Sequence, residues 1–180
     1  MRCSKECGAL GTTAKRKRLA ACASIDANLG RLLYALGRLG RLDDTIVVFT
    51  SDHGTHFRTR NLEYKRSPHD ASIRVPLIIA GTGFERGERR HDLVTNLDLL
   101  PTLVGAAGGI ADDVDGLPLQ QRVDRPDVFV QISESQIGRA LRTERYTLGV
   151  RASTANPFAG HLRPAADEYR VTHLYDNETD

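Results

Sequence analysis

Apolar residues recur at helical spacing between Leu19 and Leu39, the longest periodic stretch of the chain. The intervals of three and four residues between them indicate an α-helix with one buried stripe. Gly40 follows directly, and glycine is typical of the position just after a helix. We therefore expect a helix from Leu19 to Gly40 with Cys22 in the core. The apolar positions are Leu19, Cys22, Ile25, Leu29, Leu32, Leu33, Leu36 and Leu39.

Two short apolar runs after the helix predict buried strands. Thr45 to Thr50 (TIVVFT) is rich in β-branched residues, and Val75 to Ala80 is the second run. A run without polar alternation is typical of a strand covered on both faces, as in a parallel sheet. A helix that leads into such a strand through a short turn is half of a β-α-β unit. The pattern therefore predicts an α/β fold with a parallel sheet.

A polar loop, residues 55–72, separates the two predicted strands. It is longer than most connections in compact domains, and such loops are usually functional or disordered. Its basic side chains suit a pocket for an anionic group. They are His56, Arg58, Arg60, Lys65, Arg66 and His69.

Asp52 and His53 stand where the first predicted strand ends. In open α/β sheets ligands bind at that edge, and a carboxylate beside an imidazole is a plausible pair of metal ligands. Asp-His-Gly also occurs in ordinary turns, so the pair alone leaves a structural role open.

The second half of the chain predicts a different architecture. Asp98 reads as the N-cap of a short helix through Leu103. Val128 to Ile132 is a candidate strand, and Arg139 to Val150 indicates paired strands around a turn at Thr143 to Arg145. His173 to Tyr175 would close the resulting antiparallel sheet.

Length and composition narrow the function classes. The 180 residues suffice for one domain with a real core. The formal net charge is only +2, which gives no general case for nucleic acid as a partner, and no apolar run is long enough to predict a membrane span. Six basic and one acidic side chain lie in residues 1–18, which suggest a solvated lead-in more than a localisation or polyanion-binding patch. No apolar h-region accompanies them, so the pattern does not predict a signal peptide.

Several motifs together resemble the sulfatase family of the alkaline-phosphatase superfamily. They are TIVVFTSDHG, Lys65 thirteen residues after Asp52, SIRVPLIIAGTGF and LVTNLDLLPTLVGAAG. The resemblance implies part of an alkaline-phosphatase-like mixed or parallel sheet flanked by helices, with a small antiparallel C-terminal subdomain. It divides the chain into an irregular basic segment (1–18), the C-terminal part of the catalytic α/β domain (19–125) and a partial antiparallel subdomain (126–180).

The resemblance also assigns site residues. Asp52 and His53 match one pair of the family's metal ligands, and Lys65 matches the lysine that contacts the sulfate, where it would act catalytically. His69 stands where the family often has an aromatic residue, and it becomes a candidate for substrate binding. The family mostly uses Ca²⁺, and the imidazole ligand leaves Mg²⁺, Mn²⁺ and Zn²⁺ open.

One expected part of a sulfatase is missing from the sequence. The family's nucleophile is a formylglycine made from a cysteine or serine in a Cys-x-Pro-x-Arg type motif. None of Cys3, Cys7 and Cys22 has that context, and the paired acidic ligands of the family's N-terminal part are missing too. The chain therefore resembles the C-terminal portion of a sulfatase that is inactive alone, with formylglycine expected in an upstream part.

The sequence leaves three hypotheses about function open. The first is a fragment of a sulfuric ester hydrolase, acting on a sulfated small molecule or carbohydrate. The second is a phosphodiesterase or phosphonate hydrolase of the same superfamily. The third is a noncatalytic remnant that binds sulfate or glycans through the basic loop. Family members are often periplasmic, secreted or lysosomal, and compartment and oligomeric state stay open.

Overall fold

The structure is a computed structural model that describes residues 12–84, 87–153 and 159–179. The chain divides into two compact units. The first comprises Met1–Val47 and Ile79–Thr82, and the second comprises Val48–Ile78 and Gly83–Asp180. In chain order the elements are the helix α1 (Thr12–Arg38), the strand β1 (Val47–Thr50), the helix α2 (Asp70–Ile73), the strand β2 (Leu77–Ala80), a 3-10 helix (Asn96–Asp98), the helix α3 (Leu99–Ala106), the strands β3 (Asp127–Ile132), β4 (Gly138–Thr143) and β5 (Tyr146–Ala152), the helix α4 (Ala159–Leu162) and the strand β6 (Tyr169–Asp176).

The helix α1 begins earlier than the apolar pattern predicts. Residues 12–18, expected to be irregular, are helical, because alanine, lysine and arginine favour helix without contributing to an apolar stripe. The rest of that expected irregular segment, with Cys3 and Cys7, lies outside the described residues. The predicted helix end is confirmed: Gly40 has a φ of 65°, and the N–H of Arg41 donates to the carbonyl of Leu36 at 2.9 Å. This is a Schellman motif.

The apolar stripe of α1 is largely exposed. Leu19, Ile25 and Leu32 are 70%, 55% and 55% exposed, and the expectation that Cys22 lies in the core is wrong, since this cysteine is free and exposed. An apolar stripe shows which face of a helix could be buried, whereas burial itself requires a partner surface. No helix in the described part of the chain is both long and apolar enough to cross a membrane.

The strands β1 and β2 form a two-stranded sheet. Both are shorter than the apolar runs that predict them, and they are not the fully buried strands expected. Every residue of β1 is half-buried, and Ile78 in β2 is 62% exposed. After β2 the chain turns at Gly81, whose φ is 127° and where a Cβ would lie 2.6 Å from the carbonyl oxygen of Thr45. Only glycine accommodates that combination of dihedral angle and close backbone approach.

The second unit contains a four-stranded antiparallel sheet in the order β3-β4-β5-β6, as the sequence predicts for this half of the chain. The turn between β4 and β5 lies where it is expected. Within the sheet, Thr147 pairs with Tyr175 and Gly149 with His173. Because residues two apart on a strand share a face, His173 and Tyr175 lie together on the face that carries the buried Thr147.

A buried carboxylate organises the segment between the two sheets. Asp98 is fully buried and accepts hydrogen bonds from the backbone N–H groups of Thr95 and Leu117, each at 2.8 Å. The guanidinium of Arg125 donates to both of its oxygens at 2.8 and 2.9 Å. Asp98 occupies the N-cap position of α3, as expected, but its side chain makes no capping hydrogen bond to that helix. The carboxylate instead takes part in the capping box of the preceding 3-10 helix with Thr95 and ties that residue to a distant loop.

Candidate functional site

Three polar residues follow β1 directly and form a corner at the strand end. The hydroxyl of Ser51 donates to the carbonyl of His53 at 2.9 Å, and the N–H of His53 donates to Asp52 Oδ1 at 2.8 Å. This backbone hydrogen bond holds the pKa of Asp52 below its usual value. The Asp52 side chain is 80% exposed, so the corner presents an ionised, accessible carboxylate.

Lys65 reaches this corner from the middle of the 55–72 loop. Its Nζ lies 2.6 Å from His53 Nε2, while His53 Nδ1 lies 2.9 Å from the carbonyl oxygen of Gly54. Because a carbonyl only accepts hydrogen bonds, Nδ1 carries the ring proton in this arrangement and Nε2 offers its lone pair to the lysine. The structure thus brings Asp52, His53 and Lys65 together.

The spacing of the Asp52 and His53 donor atoms fits part of a metal coordination shell. Asp52 Oδ2 and His53 Nε2 lie 3.2 Å apart. If two ligand atoms each lie about 2.0 to 2.4 Å from one cation and the ligand–metal–ligand angle is a right angle, the two atoms are about 2.8 to 3.4 Å apart. An Nδ1–H that donates to a carbonyl also orients a ligating imidazole in the usual way. Among the described residues no group of three or more His, Cys, Asp or Glu side chains could hold a metal ion, so the pair would supply only part of a coordination shell.

Asn96 positions the backbone of the corner, and sequence reasoning missed it. Its Nδ2 donates to the carbonyls of Ser51 at 3.1 Å and Asp52 at 3.2 Å. Its only sequence signal is its place within a motif of the resemblance, LVTNLDLLPTLVGAAG.

Gly54 brings the corner against the short helix α2. Its N–H donates to the carbonyl of Ser72 at 2.8 Å. A Cβ at Gly54 would overlap the carbonyl oxygen of Ala71 and lie 3.0 Å from that residue's carbonyl carbon. The absence of a side chain is therefore what lets the strand end approach α2.

The 55–72 loop is held by its own hydrogen bonds. The N–H of His56 donates to the carbonyl of Tyr64 at 2.7 Å, which closes the first part of the loop. Arg66 pairs with Glu63 at 2.8 Å and also with Glu134, which lies in the connection between β3 and β4. These bonds fix the loop on both sides of Lys65.

His69 contacts a different set of residues from Lys65. Its Nε2 lies 2.6 Å from the hydroxyl of Tyr175 in β6, and no hydrogen bond among the described residues joins it to Asp52, His53 or Lys65. Burial, with smaller contributions from the Arg60 guanidinium and His173, lowers its pKa from 6.5 to about 4. The imidazole is therefore neutral at neutral pH. Sequence reasoning placed Tyr175 in the C-terminal sheet but did not connect it with His69.

His56 lies in the 55–72 loop and is only 2% exposed. Neither of its ring nitrogens has a hydrogen-bond partner among the described residues, and the same holds for His69 Nδ1. The two rings meet edge to face with their centroids 6.4 Å apart. Burial lowers the pKa of His56, so two neutral imidazoles lie side by side with unused donors or acceptors.

Comparison with known proteins shows that this chain is similar in sequence to curated sulfatases. Arylsulfatase K of Bos taurus is 36% identical over 115 residues, which make up 64% of this chain and 20% of the relative. Choline-sulfatase of Rhizobium meliloti (strain 1021) is 37% identical over 114 residues, or 61% of this chain and 22% of the relative. The chain thus spans about a fifth of the length of these curated relatives.

Solved structures share the fold over most of the chain. BT4656, in complex with its substrate D-glucosamine-2-N,6-O-disulfate, gives a TM-score of 0.72 at 27% identity, covering 90% of this chain and 33% of that one. The phosphonate monoester hydrolase of Agrobacterium radiobacter gives 0.66 at 25% identity, covering 88% and 34%. The mixed α/β architecture with an antiparallel C-terminal sheet is therefore alkaline-phosphatase-like.

The family model described as Sulfatase matches residues 5–110, a range that includes the whole corner, Lys65 and His69. The chain therefore belongs to the sulfatase family, whose members are sulfuric ester hydrolases.

Proposed function

We propose that this chain carries part of the divalent-metal and sulfate-binding site of a sulfuric ester hydrolase. Asp52 and His53 act as metal ligands, and Lys65 binds the sulfate. The observation that supports this most directly is the position of Lys65 Nζ, 2.6 Å from His53 Nε2. A cation and two candidate ligands within one small corner make a suitable receptor for a small anion.

Each residue has a distinct task in this proposal. A bound divalent cation supplies positive charge that polarises the sulfate ester. The Asp52 carboxylate and His53 Nε2 would hold that cation in place. Ca²⁺ is the favoured metal, with Mg²⁺, Mn²⁺ and Zn²⁺ as alternatives. Lys65 donates to a sulfate oxygen and stabilises negative charge that develops as the ester bond breaks, which lowers the barrier. Its ammonium group would exchange its contact with His53 for one with the sulfate.

The chain by itself would bind a sulfate ester without cleaving it. The three cysteines lie in the contexts RCSKEC and ACASID, which lack the Cys-x-Pro-x-Arg pattern of a formylglycine nucleophile. Turnover would require that nucleophile from sequence beyond these 180 residues. A sulfated carbohydrate is the favoured ligand, because a structural neighbour is bound to a disulfated glucosamine; a small sulfate ester is the alternative.

Calorimetry on the intact 180-residue chain tests the proposal. CaCl₂, then MgCl₂, MnCl₂ and ZnCl₂, are titrated first, and N-acetylglucosamine 6-sulfate is titrated with the metal present. Asp52→Asn should weaken metal binding by about tenfold or more. Lys65→Met should weaken binding of the sulfate ester by about tenfold or more, since a hydrogen bond to a charged group contributes about 1.5 to 3 kcal/mol.

Lys17→Met in α1 is the matched control, because it removes an equal charge from an exposed position. It should leave both affinities unchanged. Equal ester affinity in the wild type and in Lys65→Met would refute the role of Lys65. If no divalent metal changes either ester binding or thermal stability, the corner is not a metal site and the noncatalytic reading replaces this one.

A phosphodiesterase or phosphonate hydrolase of the same superfamily is the second candidate, supported by the likeness to the phosphonate monoester hydrolase. Sulfate monoesters, phosphate diesters and phosphonate monoesters all place one negative charge on a tetrahedral centre, so they differ in the central atom and its substituents and not in charge. Titration with a phosphonate monoester and with a phosphate diester separates the two candidates. Tighter binding of either probe than of the sulfate ester, dependent on Lys65, would favour the second.

A further inference from the structure

His53 offers one acceptor atom to the corner, and that atom already has a partner. Nδ1 of the imidazole lies 2.9 Å from the carbonyl oxygen of Gly54 and therefore carries the ring proton. Nε2 is left with a single lone pair, which accepts a hydrogen bond from Lys65 Nζ at 2.6 Å. A neutral imidazole binds a metal through the same lone pair. The contact with Lys65 and a bond from Nε2 to a metal therefore exclude each other.

The charge of the lysine adds to this exclusion. Asp52 Oδ2 lies 3.2 Å from Nε2, and a cation shared by these two atoms would be about 2.0 to 2.4 Å from Nε2. The ammonium nitrogen of Lys65 is only 2.6 Å from the same atom. Both positive groups would lie where the one lone pair of Nε2 points, and like charges repel. The lysine must therefore leave His53 before the corner can hold a metal.

Lys65 can leave His53 and still remain at the site. Among the residues that the structure describes, His53 is the only hydrogen-bond partner of Nζ, so no second contact holds the ammonium group. The loop backbone on both sides is fixed by the hydrogen bond of His56 to Tyr64 and by the ion pairs of Arg66. A rotation of the lysine side chain therefore moves the charge without moving the loop, and the released ammonium group stays within reach of an anion at the corner.

We propose that Lys65 and the divalent metal compete for His53 Nε2, so that metal binding releases the lysine to the sulfate and the two ligands bind cooperatively. This inference rests on the proposed function, in which Asp52 and His53 hold the metal and Lys65 binds the sulfate. No proton is transferred in the exchange. The lysine keeps its charge, a metal–nitrogen bond replaces the hydrogen bond at Nε2, and the lysine N–H donates to a sulfate oxygen instead.

Cooperativity follows from what each ligand must displace. A sulfate ester that binds first has to detach Lys65 from His53 itself, whereas an ester that binds after the metal finds the lysine already released. The metal therefore increases the affinity for the ester, and by linkage the ester increases the affinity for the metal by the same factor. The site fills in a preferred order, with the metal first and the ester second.

Lys65→Met tests the competition, because removal of a competitor has the opposite sign to removal of a support. Calorimetry on the intact chain is carried out with the metal that binds most tightly in the titrations above. Loss of the lysine should tighten metal binding by about threefold to tenfold, the equivalent of one hydrogen bond, and should weaken binding of N-acetylglucosamine 6-sulfate in the presence of that metal. Lys17→Met, which removes a charge from exposed α1, should change neither affinity.

His53→Asn separates competition for the lone pair from simple charge repulsion. An asparagine carbonyl oxygen has two lone pairs, so it can accept from Lys65 and bind a metal at the same time. Repulsion between the lysine and the metal persists in this background, while the competition does not. Lys65→Met should therefore tighten metal binding by a factor about threefold smaller in His53→Asn than in the wild type, and this double-mutant cycle measures the competition.

The outcomes separate this inference from the proposed function. A metal affinity that is unchanged or weaker in Lys65→Met overturns the competition, and so does equal tightening in both backgrounds; in either case the proposed function stands as long as ester binding requires Lys65 and metal. If the wild type and Lys65→Met bind the ester equally, the proposed role of Lys65 fails and this inference fails with it. Tighter metal binding that depends on His53, together with weaker ester binding, supports both.

Discussion

Acidification should destabilise the second unit through His69. Burial lowers the pKa of this imidazole from 6.5 to about 4, so between these values the unfolded chain binds a proton that the folded chain does not. The sign follows from linkage: stability is fully present above pH 6.5 and is lost as pH falls toward 4. A shift of this size corresponds to a loss of about 3 kcal/mol at the lower end, and about 2 kcal/mol by pH ~5.

Urea unfolding at a series of pH values, followed by tyrosine fluorescence, measures this loss. Four of the five tyrosines lie in the second unit, so the signal reports on it. With a urea m-value of about 2 kcal/mol per molar, a loss of 2 kcal/mol lowers the midpoint by about 1 M. His56 and His173, whose pKa values burial also lowers, add to the wild-type effect with the same sign, so the contribution of His69 must be isolated by substitution.

His69→Gln removes the ionisable ring and should flatten the pH dependence of the unfolding free energy by about 2 kcal/mol between pH ~7.5 and ~5. The exposed His91 provides the matched control, because its side chain is not buried. His91→Gln should reproduce the wild-type curve. Parallel curves for the wild type and His69→Gln would refute the reasoning, because burial of this ring would then not be opposing its protonation.

Two further substitutions test the packing of the second unit. Asp98→Asn should destabilise by about 3 to 5 kcal/mol, because it leaves Arg125 without its anion in a buried site, and the urea midpoint measures this. Gly54→Ala should cost at least about 1 to 3 kcal/mol through overlap with Ala71 and weaken metal binding in calorimetry, since Asp52 and His53 must move. Gly30→Ala, with nothing within 4 Å of the added Cβ, should instead be neutral or stabilising by up to about 1 kcal/mol; equal effects of the two glycine substitutions would contradict the close approach at Gly54.

The local parts of the fold are the ones that sequence reasoning predicts. An apolar run followed by Asp52 and His53 indicates a strand end with polar groups, and the two segments around the turn at Thr143 to Arg145 indicate paired antiparallel strands. Both signals depend on residues a few positions apart, for which periodicity and turn chemistry are informative. The position of Lys65 beside His53 is different, because only the resemblance to a family, and no local pattern, indicates that a loop lysine turns back toward the strand.

The contacts that sequence reasoning missed join residues far apart in the chain. Asp98 reads locally as a helix cap, but its carboxylate is used by Arg125, 27 positions away. His69 and Tyr175 are separated by 106 positions. Nothing in the composition around either residue specifies its partner, because side-chain hydrogen bonds form only after the backbone has brought distant segments together. The exposure of a side chain also depends on distant residues: the apolar stripe of α1 is largely exposed, although its spacing alone predicts burial.

These long-range contacts make the C-terminal sheet a support for the candidate site. Tyr175 in β6 hydrogen-bonds to His69, and Arg142 in β4 pairs with Asp70, the first residue of α2. Both contacts hold the segment that follows Lys65, so the lysine's position depends on residues outside the family-model match at 5–110. A chain ending at residue 110 would retain every candidate ligand and lose this support, and it should therefore bind a sulfate ester more weakly than the intact chain while retaining the same acidic and basic groups at the corner.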